Sequence, residues 1–201
     1  MSDISSTLGT TSPKRGDRWW WIMAAVAAAV LLAFIVFVAT RHIRPKPVSY
    51  PVTPVATLPT GSTAPSFSLP RLGGGQPVTL ASTQGTPTVI NFFASWCKDC
   101  QAELGNFATL SARTAGHVTV IGIDANDADG PAAEALLANA HATYAVGVDG
   151  NATTATAYRL TALPVTFFLD ARGRVAHVAL GTQTLASLTH WTDALTTGGP
   201  R

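Results

Sequence analysis

The sequence predicts an α/β fold, with a mixed central sheet flanked by helices. Three observations carry that prediction. Short apolar, β-branched runs of strand length alternate with segments whose apolar residues recur at helical spacing. The alternation closes on a hairpin and a last helix, an order that packs as sheet and helix layers. At its centre, Thr88 to Leu110 reads TVINFFASWCKDCQAELGNFATL, a strand leading into a helix with the chain's only two cysteines, Cys97 and Cys100, at the junction.

At 201 residues the chain has room for one ordinary domain plus attachments. Its net charge of +2 is unevenly spread. Residues 1–60 carry six Lys/Arg against Asp3 and Asp17, whereas residues 61–201 carry seven against nine Asp/Glu. The basic residues therefore flank the N-terminal apolar segment, and the domain lacks the basic patch of a nucleic-acid binder. One Cys-x-x-Cys is too little for a multi-disulfide framework, and no second pair completes a zinc site. No metal and no cofactor is expected.

Residues 1–18 are polar and rich in Ser and Thr, and are expected to form a short cytoplasmic tail. Residues 19–40 are expected to be a transmembrane signal-anchor. Trp19 to Ala39 carries no charge, and as a helix it spans roughly 32 Å against a hydrocarbon core of about 30 Å. Trp19, Trp20 and Trp21 suit an interfacial aromatic belt. A cleaved signal peptide is the competing reading. Its core runs about 7–15 residues and ends in small residues, whereas Phe37 and Val38 stand where small residues would be wanted. Lys14, Arg15 and Arg18 balance Arg41, Arg44 and Lys46, so charge does not set orientation. An isolated Cys-x-x-Cys domain makes most sense where disulfides form. The expected topology is single-pass in the cytoplasmic membrane, with the C-terminal domain outside.

Five prolines (Pro45, Pro47, Pro51, Pro54, Pro59) make residues 41–60 an extended spacer. The domain is expected over 61–201. It opens on a β-hairpin, Ser66–Leu69 and Pro77–Leu80, around the turn Gly73-Gly74-Gly75. Val89–Phe93 is the next strand, and Cys100, Leu104, Phe107 and Leu110 give the following helix its stripe. A central strand–helix insertion follows: strand His117–Asp124, a turn at Asn126–Gly130, and a helix from Pro131 with Ala133, Leu136, Leu137 and Ala140 on one face. Tyr144–Val148 is a strand and Thr153–Leu160 a short helix. Val165–Leu169 turns through Asp170–Gly173 into Arg174–Leu180, and a last helix covers about Thr184–Thr196.

The strand-to-helix junction places the first cysteine in the first helical turn, where free backbone N–H groups and the helix dipole favour a thiolate. A thiol with an ordinary pKa of about 8.5 becomes reactive in that setting. Two such thiols one turn apart can close a disulfide and pass two electrons to another protein.

Trp96-Cys97-Lys98-Asp99-Cys100 after a strand, with Leu163-Pro164-Val165-Thr166-Phe167-Phe168-Leu169-Asp170 further on, resembles the thioredoxin-like fold. The entry Ala64-Pro65-Ser66-Phe67-Ser68-Leu69, the tract Val120 to Asp127, and Glu103 narrow the likeness. They are similar to the membrane-tethered, extracytoplasmic thiol–disulfide oxidoreductases of the TlpA/ResA/CcmG type. The resemblance covers about residues 61–197.

The resemblance implies roles residue by residue. Cys97 is the exposed nucleophile and Cys100 the deeper, resolving thiol, the two forming the Cys97–Cys100 disulfide. Pro164 is a cis-proline facing them, which leaves the Leu163 backbone free to meet a docked peptide. Trp96 borders the site. Glu103, about 60° round the helix from Cys100 and half-buried, has a raised pKa and exchanges a proton with the Cys100 thiol. Asn91 departs from the aspartate usual in cytosolic thioredoxins, which moves the acid/base work toward Glu103. Lys98 and Asp99 pull the thiolate in opposite directions.

The implied activity is reduction of protein disulfides, with apocytochrome c as the substrate in cytochrome c biogenesis and a membrane thiol transporter as electron donor. Other readings use the same residues. An oxidant on this fold would run the exchange backwards. A peroxidase would need Pro and Thr/Ser where Ile90 and Ala94 stand. A copper chaperone would need a histidine ligand, but His117, His141, His177 and His190 show no ligand spacing. A merely structural disulfide gains little from closing so short a loop.

Overall fold

The computed structural model describes residues 17–42 and 57–197, which belong to separate compact units. Residues 1–16 of the expected tail and 43–56 of the spacer lie outside the described residues. Helix α1, Asp17–His42, covers the segment expected to be an anchor. Side chains are described over residues 21–35 without interruption, and there Trp21, Ile22, Met23, Val26, Val30, Leu31, Leu32, Phe34 and Ile35 are all exposed. Among the described residues no helix is long and apolar enough to cross a membrane.

The second unit is built on a five-stranded sheet of order β5-β4-β3-β6-β7. Strand β3 (Thr88–Phe93) is central and buried at every position. It has no polar face, as a strand covered on both sides requires. It pairs in parallel with β4 (Thr119–Ala125), which pairs in parallel with β5 (Ala145–Asp149). On its other side it pairs antiparallel with β6 (Val165–Leu169), and β6 with β7 (Val175–Leu180). The expected hairpin is present but short: β1 (Ser68–Leu69) and β2 (Val78–Thr79) form a separate two-stranded sheet.

Helix α2 (Lys98–Arg113) buries Cys100, Leu104, Phe107 and Leu110, the stripe read from the sequence, and Glu103 beside them. Helix α3 (Gly130–Asn139) starts on an Asp129 cap with Pro131 in its first turn, as a proline without an N–H allows. The next helix, α4 (Thr153–Ala157), is shorter than the expected Thr153–Leu160. It ends because Tyr158 turns inward: its ring packs on Phe92 and Phe167, and its hydroxyl donates to the Pro65 carbonyl at 2.9 Å. Helix α5 (Leu185–Thr196) is capped by Thr184 and packs Leu188 into the cluster of Val89, Phe107 and Phe168.

Both sheet edges are covered by the same stretch of chain. Gly61 N–H donates to Val175 O, Val175 N–H to Ser62 O and Ala64 N–H to Gly173 O, at the start of β7. Val148 N–H donates to Pro70 O and Leu72 N–H to Val146 O, along β5. The second contact depends on a missing side chain. A Cβ on Gly147 would lie 2.9 Å from Leu69 Cβ and 3.4 Å from Val78 Cβ, atoms fixed to backbone. Gly147→Ala is therefore expected to cost about 1–3 kcal/mol, seen as a lower urea midpoint.

Candidate functional site

The chain leaves β3 at Phe93 and enters α2 at Lys98, so Ala94-Ser95-Trp96-Cys97 forms the junction loop. Cys97 is the N-cap of α2 rather than a residue of its first turn, because its backbone is still extended. Its sulfur accepts from the Cys100 N–H at 3.2 Å. Cys97 and Cys100 are joined as a disulfide, S–S 2.03 Å. Against the expectation of an exposed nucleophile, Cys97 is only 8% exposed. Leu163, Leu137 and Phe93 pack in the cluster that holds both cysteines and leave Cys97 a narrow opening.

Trp96 is the group that reaches solvent, 59% exposed, with its indole N–H donating to the Asn126 carbonyl at 3.3 Å. Between Trp96, Asn126, Ala152, Leu160 and Leu163 lies a groove of about 210 Å³. Trp96 and Leu163 thus share one surface. The Leu163–Pro164 bond is cis, and Pro164 is buried immediately before β6.

Glu103 is fully buried, not half-buried. One carboxylate oxygen accepts from Asn91 Nδ2 at 2.8 Å, the other from the Gln183 N–H at 2.6 Å. Burial raises its pKa to about 7, the nearby Asp99 adds to the rise, and the two hydrogen bonds hold it back. Asn91 Oδ1 has no partner. An amide flip would turn that oxygen toward Glu103 and let it accept from the protonated acid, so the Asn91–Glu103 pair suits both protonation states. The Tyr144 hydroxyl is also buried without a partner, and its pKa is raised by burial and by Glu103.

The sequence reading passed over Gln183, Ser95 and the carboxyls of Asp124 and Asp127. Gln183 had no local signal, since it meets Glu103 only through the β7–α5 loop. Asp124 did have one: it is a carboxylate closing an otherwise apolar strand. It is fully buried, and neither oxygen has a hydrogen-bond partner. Among the described residues no cluster of His, Cys, Asp or Glu could hold a metal ion. His177 instead stacks on Trp191 with ring centroids 3.4 Å apart.

A thioredoxin-like sheet with a closed Cys-x-x-Cys at the head of a helix is an arrangement suited to thiol–disulfide exchange. The chain belongs to the AhpC/TSA family, whose model matches residues 60–178. It is 36% identical over 89 residues to the thiol:disulfide interchange protein DsbE homolog of Paracoccus denitrificans, covering 44% of this chain and 48% of that one. The chain thus spans about half the length of that relative. It is 26% identical over 137 residues to the thiol-disulfide oxidoreductase ResA of Bacillus cereus, covering 68% and 78%. A solved thiol:disulfide interchange protein of Chlorobium tepidum superposes with a TM-score of 0.62 at 25% identity, covering 70% of this chain and 99% of its own. The ResA likeness read from the motifs agrees with these relatives.

The pH dependence of stability follows from Glu103. With its pKa raised on folding, the folded state keeps a proton that the unfolded chain releases. Its contribution to stability is complete below about pH 4.5 and is lost as the pH rises through about 7. The oxidised protein is expected to be less stable at pH 8 than at pH 5, by on the order of 3 kcal/mol from this group. Urea unfolding at the two pH values measures the difference, and Glu103→Gln should shrink it.

Proposed function

We propose that this chain reduces protein disulfides on the extracytoplasmic side of the cytoplasmic membrane, held there by residues 19–40. The observation that carries the reading is the Cys97–Cys100 pair on the α2 N-terminus with the buried Glu103 carboxyl one turn behind it. In the reduced chain the Cys97 thiolate attacks a partner disulfide, forming a mixed disulfide and releasing one partner thiolate. Cys100 then gives its proton to Glu103 and attacks the Cys97 sulfur. The second partner thiolate leaves and the Cys97–Cys100 bond closes. Two electrons have passed to the substrate.

Trp96, Leu163 and the Leu163–Pro164 turn form the surface on which the substrate chain lies. The relatives named DsbE and ResA support the exchange chemistry. Apocytochrome c as substrate and a membrane thiol transporter as donor remain part of the proposal. The membrane tether is supported by the uncharged run from Trp19 to Ala39 and by the exposed apolar side chains of residues 21–35, a pattern suited to lipid rather than water.

The reduction potential of Cys97–Cys100 in the whole chain, equilibrated against glutathione and dithiothreitol, tests the direction. A value near or below about −230 mV marks a reductant, and one near about −120 mV a disulfide donor. Cys97→Ser is expected to abolish turnover and Cys100→Ser to trap the mixed disulfide. Glu103→Gln is expected to slow resolution by about 100-fold or more, read in stopped-flow as accumulation of the mixed disulfide.

A further inference from the structure

The loop that carries Trp96 and Cys97 is held from below by a second pair of acids, separate from Glu103. Asp127 accepts the Ser95 N–H at 2.6 Å and the Asp129 N–H at 3.0 Å. The next residue along the loop, Trp96, is held by the carbonyl of Asn126, the neighbour of Asp127. Asp124 lies three residues before Asp127, at the end of β4 and opposite Phe93 in the sheet register. It is fully buried, and no donor reaches its carboxyl. An ionised carboxylate in such a place is costly, and a second carboxylate beside it raises the cost.

Among the described residues no cation offsets it. The acids on the neighbouring elements turn elsewhere: Asp129 caps α3 through the Ala132 N–H, and Asp149 of β5 accepts from Thr154 and Ala155 at the head of α4. Glu103 is engaged with Asn91 and Gln183. Among the described residues Asp127 is the charged neighbour acting on Asp124.

We propose that Asp124 and Asp127 share one proton, and that this shared proton fixes the position of the Ser95-Trp96-Cys97 loop. Protonated Asp124 presents no charge, and Asp127 stays ionised to hold the Ser95 N–H. When Asp124 loses its proton to solvent, two carboxylates face each other in a buried space, and Asp127 moves with the loop it carries. Asp124 is a positioning residue: it acts on Trp96 and Cys97 through Asp127 and does not touch substrate. Its value for the reaction rests on the exchange activity proposed above. The titration agrees with the geometry. Burial and then Asp127 raise the Asp124 pKa to about 7. Burial also pushes Asp127 upward, but its bonds from Ser95 and Asp129 outweigh this and leave it below the ordinary carboxylate value.

The test uses the oxidised whole chain, in which neither cysteine titrates, in a Glu103→Gln background. The Trp96 signal is isolated as the fluorescence difference between this chain and the same chain with Trp96→Phe. It is expected to shift in one step between pH 6 and pH 8. Asp124→Asn should abolish that step, and Asp127→Asn should move it down by about one pH unit by removing the neighbouring charge. A flat signal with Asp124 and Asp127 intact, or a step unchanged in Asp124→Asn, overturns the proposal. If Asp124→Asn does not fold, ¹³C-aspartate titration of the unmutated chain decides. One carboxyl titrating above pH 6 supports the shared proton, and all titrating below pH 5 overturns it. Insulin reduction by the unsubstituted chain, with Glu103 intact, is read separately. Its failure would remove the proposed exchange activity and leave the Trp96 step standing, whereas a flat Trp96 signal with full reductase activity would remove this inference alone.

Discussion

The buried carboxylate of Glu103 is the contact on which the site's geometry depends. Its two oxygens join three pieces of chain far apart in sequence: Asn91 in the central strand, α2 itself, and the Gln183 backbone in the loop before α5. Asn106 of α2 donates to the Gln183 carbonyl, and Thr182 of the same loop donates to the Asp99 carbonyl of α2. A carboxylate with both oxygens bonded and no exposed edge fixes the rotation of α2 about its axis. That rotation decides which way Cys100 points. A change at Glu103 therefore alters the setting of the helix that carries the thiol, along with the proton transfer proposed for that carboxyl.

Much of the architecture was legible because the signals were local. The strand at Val89–Phe93 is apolar and β-branched, the α2 stripe repeats at helical spacing, and Val165–Leu169 matches β6 end to end. The expected helix starts at Pro131 and Thr184 fall within a residue of those observed. The two-residue hairpin strands were harder to bound, since β1 and β2 are held by packing against Gly147 rather than by their own propensity. The end of α4 was misplaced for a similar reason. Tyr158 belongs to the core by virtue of Phe92, Phe167 and Pro65, none of which is near it in sequence.

The site was legible in its cysteines and less so in what surrounds them. Burial of Cys97 depends on Leu163 and Leu137 arriving from other elements, and sequence spacing carries no trace of that. Gln183 takes part through its backbone, so its side-chain identity gave no hint. The acids behave differently from one another: Glu103 is fully hydrogen-bonded, while Asp124 has no donor at all. Burial raises both, one on α2 and one near the end of β4.

The stretch from Gly61 to Leu72 touches β7 at one end and β5 at the other, so a single run of chain spans the sheet from edge to edge. It has a mechanical consequence. A pull arriving from the N-terminal side meets the bond from Gly61 to Val175 first, then the bond at Ser62, then the one at Ala64, each loaded in turn. The strap would peel like a zipper while β3, its flanking strands and the junction loop stayed unloaded. Tension on the N-terminal side would therefore be spent at the outer edge of β7 before any of it reached the cysteines.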